Sequence, residues 1–271
     1  MTEAIRSRSW RPAPLLLASG VVHLGAAASL LSRPRAWPWA LGAVALNHVA
    51  LAAAGLWPRS HLLGSNWTHL PDRDGDYSGV AITIDDGPDP EVTPTVLRQL
   101  DERGAKATFF CIGERVLRHP DLVREIARRG HAVENHSQRH RHDFSLMGPR
   151  AMRAEILAGQ ESIFNVTGSA PLFFRAPAGL RNPFLDPILA RLGLQLASWT
   201  RRGFDTVAAD AAAVFRRLST PLRGRDILLL HDGHAARTRS GSPVILEVLP
   251  RLLDALESRK LKPVTLRAAL P

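Results

Sequence analysis

The sequence predicts an α/β fold: a parallel sheet covered by helices, open or closed into a barrel, and preceded by two apolar helices of membrane-spanning length. Two observations carry this reading. From Ser78 onward, short β-branched or apolar runs alternate with helical patterns through seven strand candidates, the signature of repeated βα units. Residues 1–57 instead hold two long, almost uncharged runs rich in Leu, Ala and Val.

Those runs are Pro14 to Leu31 and Trp37 to Trp57. As helices they would extend about 27 and about 31 Å, enough to cross a hydrocarbon core of about 30 Å. Arg6, Arg8 and Arg11 precede the first run, Arg33 and Arg35 separate the two, and Arg59 follows the second. Trp37, Trp39 and Trp57 mark the ends of the second run, as interfacial aromatics do. Pro38 sits where a helix start tolerates proline. A basic start, an apolar stretch and small residues near Ala26 to Ser29 also fit a signal peptide, but the second run favours a hairpin. His23, Asn47 and His48 inside the runs are expected at helix contacts. A hairpin puts both flanks on one side of a bacterial inner membrane, and the arginine balance leans that side toward the cytoplasm. Residues 1–57 are thus expected to be an anchor in contact with membrane lipid, 58–77 a polar linker and 78–271 the main domain. Asn66-Trp67-Thr68 matches a glycosylation acceptor, a pattern short enough to arise by chance.

In the main domain, Val80 to Ile84 is the first strand candidate. Thr93 is placed to cap a helix with Pro94 at its first position, and Gly104 ends it. Ala107 to Ile112 reads as strand two, Asp121 to Arg129 as a helix closed by Gly130, and His131 to Glu134 as strand three. A longer helix follows over Pro149 to Val166, with Met152, Ile156 and Ile163 on its apolar face. Then come strand four (Leu172 to Phe174), a helix (Pro183 to Leu192), strand five (Leu194 to Trp199) and a helix (Val207 to Leu218). Strand six is Asp226 to Leu230. Ser242 and Pro243 open a last helix that contains Pro250, and Pro263 to Leu266 is strand seven.

Composition narrows the function. The formal charge is +10, carried almost wholly by arginine. The basic residues are scattered without a basic-aromatic stripe, which argues against nucleic acid as a partner. Cys111 is the only cysteine, so an intramolecular disulfide and a cysteine zinc cluster are both excluded. Its apolar surroundings make it a small buried hydrophobe.

The chemistry-bearing residues gather at strand ends. Asp85 and Asp86 follow strand one, His136 and His140 strand three, Arg175 strand four; Trp199 ends strand five and His231 follows strand six. In a parallel array these ends share one face, where such folds hold their active sites. Gly87 and Pro88 break the first strand at once, so both carboxylates can turn into one mouth. Two His and one Asp make three ligands and leave a fourth position open, the catalytic arrangement for zinc and similar ions. His142 is the lower-ranked alternative ligand. The second Asp can then serve as base, His231 as the acid for a leaving amine, and Arg175 as the partner that holds the base. Asp232 reads as a turn residue.

The ordered motifs TIDDGPDP, HSQRH, RAPAG, a Trp-containing segment and LLLHD resemble those of the polysaccharide deacetylases of carbohydrate esterase family four. The resemblance covers roughly Val80 to Leu266. It implies a distorted, incomplete β/α barrel and one divalent ion, Zn²⁺ foremost, with Co²⁺, Mn²⁺ or Ni²⁺ as alternatives. It further implies Asp85 as base, Asp86, His136 and His140 as ligands, Arg175 as the residue orienting the base and His231 as acid. Leu229 would wall the acetyl pocket, and the Ala178 amide would face the oxyanion. Trp199 falls at a substrate-contacting position, and Asp205 at one that tunes His231.

Two departures stand out. Ala178 replaces a common aromatic. SWTRRGFDT carries Arg202 where a first Asp would align and Thr206 where a Trp would. Arg201 and Arg202 can instead meet a phosphate, as on a lipid-linked sugar. The expected activity is removal of an N-acyl group from an amino-sugar-containing carbohydrate. Alternatives are deformylation or deacetylation of a polyprenyl-phosphate-linked aminosugar, O-acetyl esterase activity, or non-catalytic carbohydrate binding.

Overall fold

The computed structural model describes residues 9–72 and 77–270. Arg6, Arg8 and positions 73–76 of the expected linker lie outside the described residues. Among the described residues, the main domain is one all-parallel sheet of eight strands. In chain order they are β1 (Gly79–Asp85), β2 (Thr108–Cys111), β3 (Ala132–Asn135), β4 (Phe173–Phe174), β5 (Gln195–Leu196), β6 (Arg201–Arg202), β7 (Ile227–His231) and β8 (Lys262–Val264). The spatial order is β5-β4-β3-β2-β1-β7-β6, with β8 pairing the first residues of β1. The outer strands β5 and β6 are separated by Ala197 to Thr200 alone. That segment steps from one sheet edge to the other: Ala197 N–H donates to Phe174 O at 2.9 Å and Thr200 N–H to Ile227 O at 2.8 Å. The sheet therefore curls into an incomplete barrel, joined across its gap by a short irregular stretch. The two-residue β6 is the strand beyond the seven read from sequence.

Side-chain alternation along each strand divides the domain into an outer and an inner layer. Val80, Ile82 and Ile84 of β1 join Phe109, Cys111, Leu228 and Leu230 in the apolar layer under the helices. Ala81, Phe110, Phe173, Ile227 and Leu229 face the barrel interior. Asp85, Arg175 and His231 share the parity of this interior set, so the pleat that buries the core also aims the polar groups inward. The helices are α3 (Thr93–Asp101), α4 (Gly113–Arg118), α5 (Pro120–Arg128), α6 (Pro149–Thr167), α7 (Leu185–Arg191), α8 (Ala211–Ser219) and α9 (Val244–Ser258). Met152, Ile156 and Ile163 of α6 are buried as expected.

Three local readings are corrected. Thr93 is the first residue of α3 rather than its cap, and no side chain caps that helix. The Thr93 hydroxyl instead accepts from Asp89 N–H and donates to Asp232. The helix expected from Val207 starts at Ala211, because Asp210 accepts from Ala212 N–H and fixes the start there. Strand five is confined to Gln195 and Leu196, and Trp199 lies in the crossing segment beyond it.

Before this domain, two helices of membrane-spanning length and hydropathy, α1 (Pro14–Ser32) and α2 (Trp37–Leu56), form a packed hairpin. Asn47 Nδ2 donates to Ser19 Oγ at 2.9 Å and the His23 and His48 rings meet edge-on at 5.3 Å, so the intrahelical polar residues lie at helix contacts. Leu17, Val21, Leu24, Trp39 and Leu46 point outward and are exposed. The hairpin is seated on the domain. Trp10 Nε1 donates to Asp186 Oδ2 at 2.9 Å, and Arg181 N–H donates to Gly55 O at 3.1 Å. A Cβ at Gly55 would stand 2.2 Å from Arg181 O, an approach only glycine permits. Residues 58–72 continue across the domain surface, burying Leu63 and Leu70.

Candidate active site

A cleft of about 640 Å³ opens where the strands end, lined by Asp85, Asp86, His136, His140, Trp199 and His231 among others. Asp85 and His231 are register partners on β1 and β7, which sets their side chains together on the inner face. Asp86 departs from the strand with φ of 72°. This left-handed residue turns the second carboxylate into the mouth instead of the helix layer.

Asp86 Oδ1 lies 3.3 Å from His136 Nε2 and 3.3 Å from His140 Nε2. It is buried and has no hydrogen-bond partner among the described residues. Tetrahedral coordination at a metal–nitrogen distance of about 2.0–2.1 Å separates ligand atoms by about 3.3 Å. The Asp86, His136 and His140 ligand atoms thus fit one divalent ion, and all three lie within 4.8 Å of one another. His136 Nδ1 sits 2.8 Å from the Arg175 carbonyl, which leaves Nε2 toward the cluster. His140 is brought back by a loop in which Ser137 and His140 have φ of 64° and 50°. Hydrogen bonds hold the loop: Asn135 Nδ2 donates to Ile156 O of α6, Ser137 N–H to Asn135 Oδ1 and His140 N–H to Ser137 Oγ.

The electrostatics suit a cation. Burial opposes charge on Asp86, but the His136 and His234 imidazoles outweigh it and hold the carboxyl far below the usual range. Burial also opposes charge on His136, and Asp85 and Asp86 outweigh it, raising its pKa. His140 is pushed down to about 4 by burial and by His136. The two carboxylates beside His136 thus favour positive charge at this point, the place a bound cation would take.

The two aspartates differ in their partners. Asp85 Oδ1 accepts from Arg175 Nη1 at 2.6 Å. Arg175 is 1% exposed and also donates to Thr83 Oγ1, Ala197 O and Ser198 O, with its guanidinium 4.1 Å over the Phe110 ring. It is a strut spanning the barrel interior, not a surface ion pair. Removing one partner of such a buried pair costs about 3–5 kcal/mol. Across the cleft, His231 Nδ1 lies 2.8 Å from Asp205 Oδ1, while Asp205 Oδ2 accepts the His231 N–H. Burial lowers the His231 pKa and Asp205 outweighs it, so the net shift is upward.

Leu229, Trp199 and Ala178 also line the cleft, Ala178 with φ of 54°. His142 lies in the same cleft but outside the metal-ligand cluster. Asp232 is more than a turn residue: it is buried, bonded to Thr93 and Gly233, and pushed up to about 7 by burial. Arg201 does not face the cleft; it pairs with Asp226 at 3.1 Å, whereas Arg202 lines the cavity. Asn66 is buried with its amide donating to Pro58 O and Ser60 O, in keeping with a chance match to the acceptor pattern. Sequence reasoning missed His234, whose Nδ1 is 3.4 Å from Asp86 Oδ2, and Thr83, which holds Arg175. Thr83 was findable, being two residues before Asp85 on the same strand face. His234 follows its strand end by three residues with φ of 62°, which no spacing rule foretells.

Comparison with known proteins agrees with this geometry. The family model for polysaccharide deacetylase matches residues 72–197. A peptidoglycan-N-acetylglucosamine deacetylase of Bacillus cereus is 35% identical over 175 residues, covering 64% of this chain and 81% of the relative. A chitooligosaccharide deacetylase of Bradyrhizobium is 34% identical, over 59% of this chain and 74% of the relative. Among solved structures, a family 4 carbohydrate esterase from Streptomyces lividans in complex with acetate superposes with a TM-score of 0.62 at 31% identity, covering 68% of this chain and 91% of that one. The chain belongs to the polysaccharide deacetylase family and is a carbohydrate deacetylase, a hydrolase of carbon–nitrogen bonds in N-acetylated sugars.

Proposed function

We propose that this protein removes the acetyl group from an N-acetylated amino sugar at a membrane surface, using one divalent ion held by Asp86, His136 and His140. When bound, such an ion polarises a carbonyl oxygen and lowers the pKa of water from about 15.7 toward about 7. Zinc suits two imidazoles and a carboxylate; Co²⁺, Mn²⁺ and Ni²⁺ fit the same donors. Asp85, oriented by Arg175, takes the proton of the water that attacks the acetyl carbonyl carbon. The Ala178 N–H faces the developing oxyanion, and Leu229 and Trp199 enclose the acetyl methyl. His231, whose pKa Asp205 raises against the opposing effect of burial, protonates the amine nitrogen as the carbon–nitrogen bond breaks. The products are acetate and a free amino sugar.

The observation that carries this reading is the asymmetry of the paired carboxylates. Asp85 is committed to Arg175, whereas Asp86 keeps an unpartnered oxygen 3.3 Å from both imidazoles. One is therefore equipped as a base and the other as a ligand. The test is acetate release from N-acetylglucosamine oligosaccharides by wild type and Asp85→Asn. The variant should keep its metal and lose about 10²–10⁴-fold in turnover. Full turnover by Asp85→Asn would assign the base elsewhere.

The apolar hairpin is read as a retained anchor. The Trp10–Asp186 and Gly55–Arg181 contacts support retention, because cleavage near Ala26 to Ser29 would remove Trp10 from its site. Pro58 reaches Gly179 beside Trp199, which puts the rim of the cleft next to the anchor and favours a membrane-tethered sugar as substrate.

A further inference from the structure

We infer that Arg202 forms an anion subsite in the cleft, and that the amino sugar this enzyme deacetylates carries a phosphate group. The inference rests on the deacetylase reading above and names the substrate class for that site. Arg115, Arg118, Arg139 and Arg202 line the cavity. Three of them have acidic neighbours: Arg118 lies 3.6 Å from Glu114, Arg139 3.2 Å from Glu114 and 3.6 Å from Glu155, and Arg115 4.0 Å from Asp89. Arg202 makes no ion pair or side-chain hydrogen bond among the described residues, and its Nε is buried without a partner. A buried donor left unpaired is costly and marks a place where a ligand or water belongs.

The surroundings of Arg202 prepare its guanidinium for a ligand. Its central carbon lies 5.5 Å from the Trp199 ring centroid and 5.0 Å from that of Phe204. These cation–π contacts hold the guanidinium at the cleft wall, and a guanidinium without an acidic partner is suited to two-point binding of phosphate oxygens. Strand alternation separates the two adjacent arginines: Arg201 turns away to Asp226, so only Arg202 serves the cleft. The position also fits the source of such a ligand. Arg59, just after the hairpin, donates to the carbonyl of Thr200, two residues from Arg202, and Pro58 packs at Gly179 beside Trp199. The subsite thus lies where the apolar helices join the domain.

The test uses the full chain and three probes carrying the same N-acetyl sugar: a neutral methyl glycoside, the soluble 1-phosphate, and the sugar joined through phosphate to a polyprenol in vesicles. Wild type should show a kcat/KM at least about ten-fold higher for a phosphate-bearing probe than for the neutral one. Preference for both phosphate probes makes phosphate itself the determinant; preference for the vesicle probe alone makes it the lipid-linked form. Arg202→Gln should reduce the preference about ten-fold, Arg202→Lys should restore part of it, and Arg201→Gln should leave it unchanged. Equal kcat/KM for all probes in wild type, or a parallel loss on every probe in Arg202→Gln, would overturn the subsite while leaving the deacetylase reading intact. Acetate release from none of the probes, nor from N-acetylglucosamine oligosaccharides, would overturn both.

Discussion

In the proposed mechanism, the buried contact between Asp205 and His231 sets the working pH. The imidazole is a useful acid only while protonated, and burial alone opposes that charge. Asp205 reverses that, raising the pKa, so the protonated form persists to higher pH and is lost as pH rises through the folded-state value. Replacing Asp205 with Asn removes the charge that favours imidazolium. The alkaline limb of the kcat/KM profile should then move to lower pH, with turnover at neutral pH falling by up to about 10²-fold. An unmoved alkaline limb would assign it to another group. At this scale the sequence was most legible where a motif carried the residue: Asp85, Asp86, His136, His140, Arg175 and His231 all meet in the cleft. It was least legible where backbone conformation decides. Asp86, His140 and His234 all have positive φ, so their side chains point where no strand or helix period would send them.

The elements around the site act as its mount. Gly159 on α6 faces the loop carrying both histidines: a Cβ there would lie 2.5 Å from Asn135 Oδ1 and 3.1 Å from the Ser137 carbonyl carbon. Gly159→Ala must push α6 or the loop aside, at about 1–3 kcal/mol. Thermal unfolding should fall by roughly 2–4 °C per kcal/mol for a domain of this size. Turnover should fall further than stability accounts for, because His136 and His140 move with the loop. Unchanged Tm and turnover would show that the contact bears no load. The strands with continuous apolar runs, β1, β2 and β7, were readable because both faces are covered and the run is long. The two-residue β6 was not, since Arg201 and Arg202 belong to a sheet only through their pairing with Leu228 and Leu229. Helix α4, which opens at Gly113 directly after β2, was likewise unread: its six residues are too few for a periodic pattern.

Over the whole molecule, the hairpin and the deacetylase domain are joined at the cleft rim rather than strung apart. Outward-facing Leu17, Val21, Leu24 and Leu46 leave an apolar surface that suits lipid. The full chain should sediment with membranes and resist an alkaline carbonate wash; release by that wash would contradict an anchor. The rim position also ties substrate choice to where the helices end. The ion remains the centre of the account, and a titration of the chelator-stripped full chain tests it most directly. With Zn²⁺ added back stepwise, acetate release should rise in proportion and plateau at one ion per chain, and His140→Ala should neither take up that ion tightly nor recover turnover. Full acetate release by the stripped chain before any ion is added would contradict the account.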